Sequence, residues 1–521
     1  MTHKPAENEV HQSVEDLKRR KEQALLGGGV DKLKKQRQSG RYTARERIDL
    51  LVDKDSFMEL GLLNYSDQMG VGSDSAGDGL IGGLGKVNGR HAVIQAGDQT
   101  VFAGTEGTVH LRKSKSLMEY AIKRGLPMFN LNEGGGLRMP DGMGSDGIST
   151  KLFPQELLTL SREIPMITGI FGDSFGGPTW IAVSSDFVTQ VKGTCLAVAG
   201  PRMLEMASGQ KVSKEELGGT EVHVRQTGQV DATANSTEEC IEQMKKFFAY
   251  MPSNSSELPP RKQTNDSPTR LANNVLSILP PLANRVYDMK RIIEDLVDDG
   301  EYMEYKSGYG QALITVLTHM DGRAVGIIAN QPNKYAGAGG PEECEKATDF
   351  ICLCDSYHIP LIFLHDTPGF RISTQAEKEK IPTKIMVWNQ ALAQSTVPKI
   401  SVIIRKSIGA AYGNMCGPTM GADFVVAWPT AEINFTGPEV GINVVYGRQL
   451  EKAEDPKEER KKLLENWAFD SSPYKAAASH YIDDVIDPRE TRKFICQSLD
   501  FACVKNDGRS ERRLANWPTG F

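Results

Sequence analysis

The chain repeats itself at long range, and that constrains its fold more than any other feature. Gly89-Arg90 and Gly322-Arg323 each precede a buried apolar run. Pro127 through Glu133 (PMFNLNE) and Pro360 through Asp366 (PLIFLHD) each set a proline, a strand and then an acid six residues on. Pro165 leads to Ser174-Phe175-Gly176-Gly177 as Pro398 leads to Ser407-Ile408-Gly409-Ala410. All three pairs share one offset, 322 − 89 = 360 − 127 = 398 − 165 = 233 residues. Further on, Asp186-Phe187 and Gly200-Pro201 recur as Asp423-Phe424 and Gly437-Pro438 at 237, which places four inserted residues after Ala410. A period this long reads as a duplicated domain rather than a solenoid. Between the landmarks, short apolar runs such as His91 to Ile94 and Pro165 to Ile170 alternate with helical patterns and Gly-rich turns, so the class is α/β.

At 521 residues the chain exceeds what a single hydrophobic core supports. The expected organisation is an N-terminal domain over 1–260, a linker over 261–280 at the end of a Pro-, Ser- and Asn-rich stretch, and a C-terminal domain over 281–521. Lys plus Arg number 61 against 67 Asp plus Glu, a formal charge of −6, which lacks the broad positive field that duplex DNA or anionic lipid selects. No stretch approaches the roughly 18 uninterrupted apolar residues of a membrane span. The opening MTHKPAENEVHQSVEDL has acids and no apolar core, which argues against a secretory signal and makes the cytoplasm the expected compartment. The eight cysteines form no CxxC pair and read as reduced thiols. The nine histidines form no HxxxH pair, so no protein-held catalytic metal is expected. The first forty residues read as two charged helical segments, solvated or in part turned toward an anionic ligand.

In both halves a buried strand runs into a pair of small residues. Such residues let the backbone approach a ligand and present amide N–H groups to it, and two amides in a dry pocket form an oxyanion hole. The competing reading is that Gly176-Gly177 and Gly409-Ala410-Ala411 only permit close helix–strand packing; recurrence at one offset favours the ligand. Gly-x-Ser-x-Gly and GxxxxGK[ST] are both missing from the sequence. Glu133 and His365-Asp366 stand at equivalent strand ends, either as catalytic carboxylates or as groups tying down the following turn. Cys416 reads as a buried structural thiol, with no base beside it in sequence.

Together with these, Thr43-Ala44-Arg45-Glu46-Arg47-Ile48, Glu215-Glu216-Leu217-Gly218-Gly219, Ala329-Asn330-Gln331-Pro332, Asp366-Thr367-Pro368-Gly369-Phe370, Val397-Pro398-Lys399-Ile400 and Trp428-Pro429-Thr430-Ala431-Glu432-Ile433 form a specific set. The chain resembles the biotin-dependent acyl-CoA carboxyltransferases, the β subunits of propionyl-CoA and methylcrotonyl-CoA carboxylases, over nearly its whole length. The resemblance implies two tandem crotonase-like (ClpP/crotonase superfamily) ββα-superhelix domains. It also implies a homohexamer with active sites at dimer interfaces, and a biotin carboxylase and a biotin carboxyl carrier subunit as partners. Carboxybiotin on that separate carrier and a coenzyme A thioester are the implied cofactor and substrate, biotin itself serving as base once CO2 has left. By the same resemblance Gly176 and Gly177 supply one oxyanion hole and Gly409, Ala410 and Ala411 the other, with Gly135, Gly136 and Arg138 lining the coenzyme A side and Tyr412 and Gly413 the acyl pocket.

The chain also departs from the family. Where propionyl-type enzymes carry an acidic residue, this chain has Gly413, so the acyl pocket is expected to differ in size and polarity. Asn414-Met415-Cys416-Gly417 is closer to the methylcrotonyl type, whereas Leu137-Arg138-Met139-Pro140 follows neither. No Ala-Met-Lys-Met biotin-attachment site is present, so carboxybiotin must come from another polypeptide. The expected activity is carboxyl transfer to the α or vinylogous carbon of an acyl-CoA; the alternative is the carboxyltransferase subunit of a biotin-dependent acyl-CoA decarboxylase.

Overall fold

The computed structural model describes residues 6–68, 72–151, 162–282 and 285–504. The chain divides into two compact units, Met1–Asn254 and Ser255–Phe521.

The first unit is built on one sheet in the order β1 (Met58–Glu59), β2 (Leu80–Val87), β3 (Arg90–Gly97), β4 (Met128–Gly134), β5 (Met166–Phe175), β6 (Phe187–Val191) and β8 (Ala232–Ala234), with β7 (Leu196–Ala197) paired to the far end of β5. β1 to β3 are antiparallel neighbours and β3 onward are parallel. The second unit repeats this arrangement with β9 (Tyr302–Glu304), β10 (Leu313–Met320), β11 (Arg323–Asn330), β12 (Leu361–Thr367), β13 (Lys399–Ile408), β14 (Phe424–Ala427) and β16 (Asp484–Val485), and β15 (Glu432–Asn434) pairs β13.

Register carries the duplication to single residues. Met128 faces Met166 as Leu361 faces Lys399, and Val93 faces Met128 as Gly326 faces Leu361. Ile167 faces Phe187 as Ile400 faces Phe424, so the four-residue insertion falls between β13 and β14. Even the register shift is copied, between Asn132 and Gly134 in one sheet and His365 and Thr367 in the other.

Local chemistry explains why the Gly-Arg pairs mark the repeat. Asn88 (φ 51°) with Gly89 (φ 77°), and Asp321 (φ 52°) with Gly322 (φ 70°), form two-residue hairpin turns with positive φ at both positions, joining β2 to β3 and β10 to β11. Asn-Gly and Asp-Gly are the sequences that tolerate that conformation. Every residue of β4 and of β12 is buried, as expected of parallel strands covered on both faces. Thr43 and Glu46 form a capping box that starts the helix Ala44–Leu51. That helix delivers the buried Arg47 to Glu133, Nη1 to Oε2 at 2.8 Å.

The stretch expected as a linker, 261–280, packs onto the second unit. Ala272, Val275 and Ile278 lie in one core with Ile292, Ile293, Ile314, Val402 and Trp428. Buried Arg492 pins its backbone, donating to the carbonyls of Ser267 (3.0 Å), Asp266 (3.1 Å) and Leu296 (2.8 Å) and to Asp298 Oδ1 (2.7 Å). Proline, serine and asparagine mark irregular backbone, but irregular backbone with apolar side chains can still line a core. The charged stretch Leu450 to Trp467 spans parts of two helices, Pro438–Lys452 and Pro456–Asp470, which pack where the Trp467 ring fills the space beside Gly441.

Candidate active site

In the first unit β5 ends at Phe175 and the chain turns at Gly176, with φ 62° and ψ −118°. That region is open to glycine alone. The Gly176 N–H donates to the Val198 carbonyl at 3.1 Å, and its own carbonyl accepts from Thr179 (2.9 Å) and Trp180 (3.1 Å). Gly177 follows, and its amide makes no hydrogen bond among the described residues. The next residue, Pro178, has no N–H at all.

The loop after β4 lies directly against this bend. A Cβ on Gly136 would stand 2.7 Å from the Phe175 carbonyl oxygen, and one on Gly176 would stand 3.5 Å from the Gly136 Cα. Gly136 is therefore glycine because two backbones meet there. Gly135 is exposed. Arg138 is buried, and its guanidinium is taken up by Asp78 Oδ1 (2.7 Å), the Thr105 hydroxyl and carbonyl (3.2 and 3.0 Å) and the face of Phe102. It holds the loop in shape and has little charge left to offer a ligand.

The second unit repeats the bend. Gly409 has φ 67° and ψ −153°, donates to the Asn434 carbonyl at 2.9 Å and accepts from Tyr412 N–H at 3.1 Å. Neither the Ala410 nor the Ala411 amide has a partner among the described residues; Ala410 is exposed and Ala411 buried. The donor set is thus narrower than the sequence implies. Gly176 and Gly409 spend their own N–H groups on Val198, just past β7, and on Asn434 of β15, and contribute the turn, leaving Gly177, Ala410 and Ala411 as donors without a partner among the described residues.

Beyond the second bend, the Tyr412 hydroxyl is buried without a hydrogen bond, and burial pushes it up to about 12. The His365 ring lies 6.2 Å from the Tyr412 ring, with Nδ1 3.0 Å from Ser407 Oγ; burial pulls its pKa down to about 3, so it is neutral. Gly413 has open space, its nearest would-be Cβ contact being Met420 Cγ at 3.8 Å.

The two strand-end acids are structural. Glu133 pairs with Arg47 and with Arg41, and Asp366 pairs with Arg405 Nε at 3.0 Å. Cys416 is buried, its thiol pushed up to about 12. None of the eight cysteines is in a disulfide.

Sequence reasoning passed over Glu106. It is 6% exposed, and burial raises its carboxyl to about 7. A Cβ on Gly177 would overlap both of its carboxyl oxygens, which places it at the first bend. No motif marks it, but aligning the copies at 233 sets Glu106 opposite Gly339 and would have exposed the difference.

These bends and their sheets recur in known proteins. The carboxyl transferase domain model matches residues 35–515. The chain belongs to the carboxyl transferase family. It is 33% identical over 510 residues to the carboxyltransferase subunit of propionyl-CoA carboxylase from Haloferax mediterranei, covering 97% of this chain and 99% of that one. It is 34% identical over 513 residues to methylmalonyl-CoA decarboxylase subunit alpha from Veillonella parvula, covering 98% and 99%. The transcarboxylase 12S crystal structure, a hexamer with methylmalonyl-coenzyme A and methylmalonic acid bound, superposes with a TM-score of 0.91 at 32% identity over 99% of both chains. The fold is crotonase-like in both units, and the protein is a biotin-dependent carboxyltransferase acting on a coenzyme A thioester. Carboxyltransferases of this family work with biotin carboxylase and carrier partners. Among the described residues no helix is long and apolar enough to cross a membrane.

Proposed function

We propose that this chain moves the carboxyl group of carboxybiotin, delivered on a separate carrier subunit made by a partner biotin carboxylase system, to the α or vinylogous carbon of an acyl-CoA. The acceptor reacts as a thioester enolate. The observation that carries this reading is the doubled bend, a glycine near φ +65° followed by unspent amides, in two copies 233 residues apart. Enolisation puts negative charge on the thioester oxygen, and a fixed N–H aimed at that oxygen contributes about 3 to 4 kcal/mol to the barrier reduction without reorganising. The amide of Gly177 serves one oxyanion and those of Ala410 and Ala411 the other. Biotin supplies the carboxyl group and the base, so the protein's share is to bind, orient and exclude water. That division accounts for strand-end acids tied up in ion pairs rather than poised for proton transfer.

Gly135, Gly136 and the Arg138-anchored loop form the coenzyme A side, and Tyr412 with Gly413 the acyl side. We assign a homohexamer in the cytoplasm, with active sites at dimer interfaces. A second reading, the carboxyltransferase subunit of a decarboxylase complex, draws on the similarity to methylmalonyl-CoA decarboxylase subunit alpha. It uses the same site in the opposite direction.

Purified protein with free biotin is expected to decarboxylate at least one thioester in a panel of malonyl-CoA, methylmalonyl-CoA and branched analogues, and silence across the panel would sink the proposal. Gly177→Val and Ala410→Val should abolish this turnover while the oligomer stays intact on size-exclusion chromatography. Turnover preserved in both variants would point to a different chemistry.

A further inference from the structure

We propose that Glu106 is a further catalytic residue of this site, its neutral carboxyl donating a hydrogen bond to the oxyanion that the Gly177 amide holds; this rests on the oxyanion reading above. The residue sits in the connection between β3 and the helix Thr108–Arg124. Its backbone is clipped to the loop after β4, Glu106 N–H to the Gly136 carbonyl at 2.8 Å and Arg138 N–H to the Glu106 carbonyl at 2.9 Å. The side chain is thereby fixed between the Gly134–Arg138 loop and the Gly176–Gly177 bend, with its carboxyl against Gly177.

The carboxyl is more than nine-tenths buried, yet it makes no hydrogen bond or ion pair among the described residues. A buried acid without a partner is costly, and native proteins keep few such groups. Glu106 is not needed to build the backbone either. At the equivalent position Gly339 makes the same parallel bridge, to Phe370, that Glu106 makes to Leu137. Of the two copies of one loop, only the first carries an acid.

None of the charged groups on the surrounding segments pairs with Glu106 among the described residues. Arg138 is paired with Asp78 and lies 3.6 Å from Asp141, Glu133 is paired with Arg47, and the helix Gly177–Val183 carries no charge. His110 on the following helix is buried and its pKa is pulled down to about 3, so it is neutral. No cation pairs with Glu106 among the described residues, and burial raises its carboxyl to about 7. A neutral acid beside a forming enolate donates to it, whereas a carboxylate there would repel it; a carboxylic acid held neutral in an apolar oxyanion hole is an established device in enolising enzymes. The step is a hydrogen bond, with no bond made or broken at Glu106.

The test uses the full-length assembled protein, free biotin and whichever malonyl-type CoA thioester the wild type turns over, with kcat and KM measured from pH 5.5 to 9. In the wild type kcat/KM should fall tenfold per pH unit above about 7, the value of the free protein. Glu106→Gln keeps a donor but cannot ionise, so it should stay within about tenfold of wild type at pH 6 and lose the alkaline limb. Glu106→Leu should lose about 10²- to 10³-fold in kcat with KM little changed. An unchanged alkaline limb in the Gln variant, or a wild-type kcat in the Leu variant, overturns the inference. A second readout needs no turnover. The infrared band of the protonated carboxyl, identified as the one missing from Glu106→Gln, should shift when malonyl-CoA or free biotin is added. A band that neither ligand moves overturns the inference even if the wild type is silent across the panel, and that silence separately marks failure of the proposed function.

Discussion

Gly176 and Gly409 occupy a region of backbone space that side chains rarely enter; Gly176 has ordinary room around it, whereas Gly409 is tighter. The nearest contacts of a built Cβ are 3.5 Å from Gly136 Cα and 3.2 Å from the Phe435 carbonyl oxygen. Substituting either by alanine therefore costs mainly strain, about 1 to 3 kcal/mol, which urea denaturation would read as a lower midpoint. Glu133→Ala works differently. It leaves Arg47, 1% exposed, without its main countercharge, and should cost about 3 to 5 kcal/mol in the same assay. Glu106 gives stability a pH dependence. Its folded pKa, about 7, lies above the ordinary 4.5, so the unfolded chain loses this proton first. The contribution is complete below pH 4.5 and is lost as pH rises to about 7, a total of about 3 kcal/mol. Glu106→Gln should flatten that part of the profile of stability against pH; an unchanged slope would mean the acid is ionised in the folded protein.

At the scale of elements, the paired strands and turns were the most legible parts of the sequence. Strands after Gly89-Arg90, Pro127, Pro165, Gly322-Arg323, Pro360 and Pro398 stand where the offset predicts, and the structure adds that Asn88-Gly89 and Asp321-Gly322 close hairpins, as their local chemistry allows. Short edge pairings such as β1 with β2 and β14 with β16 were not readable, because two residues carry no periodicity. The segment 261–280 shows the limit from the other side. Composition registers its irregular backbone but not what its few apolar side chains touch. Val275, fully buried in the core of the second unit, is the sharpest probe. Val275→Asp places an unpaired carboxylate there and should cost about 3 kcal/mol or more, seen as a clear drop in thermal midpoint. A midpoint near wild type would show the segment to be detachable.

For the whole molecule, the two units present exposed apolar residues that a lone chain has no use for. On the helix Pro438–Lys452, Val440, Val444 and Val445 are all exposed, Val444 at 79%, with Phe435 exposed just before it. Patches of this kind mark association surfaces, which accords with the proposed hexamer. Val444→Glu together with Val445→Lys should shift the mass measured by analytical ultracentrifugation toward smaller species while leaving the circular dichroism spectrum unchanged; an unchanged mass would place the subunit contact elsewhere.

Duplication, fold class, family and the two bends were all determined by the order of amino acids, because turn chemistry, strand patterning and glycine at a forbidden backbone angle are local and survive copying. Which amides at those bends are free, that Arg138 is already spent on Asp78, and that a solitary acid stands against Gly177 were decided only by tertiary structure. Hydrogen bonds compete for each donor across segments far apart in the chain, and a carboxyl acquires an unusual proton affinity only once packing has taken its water away.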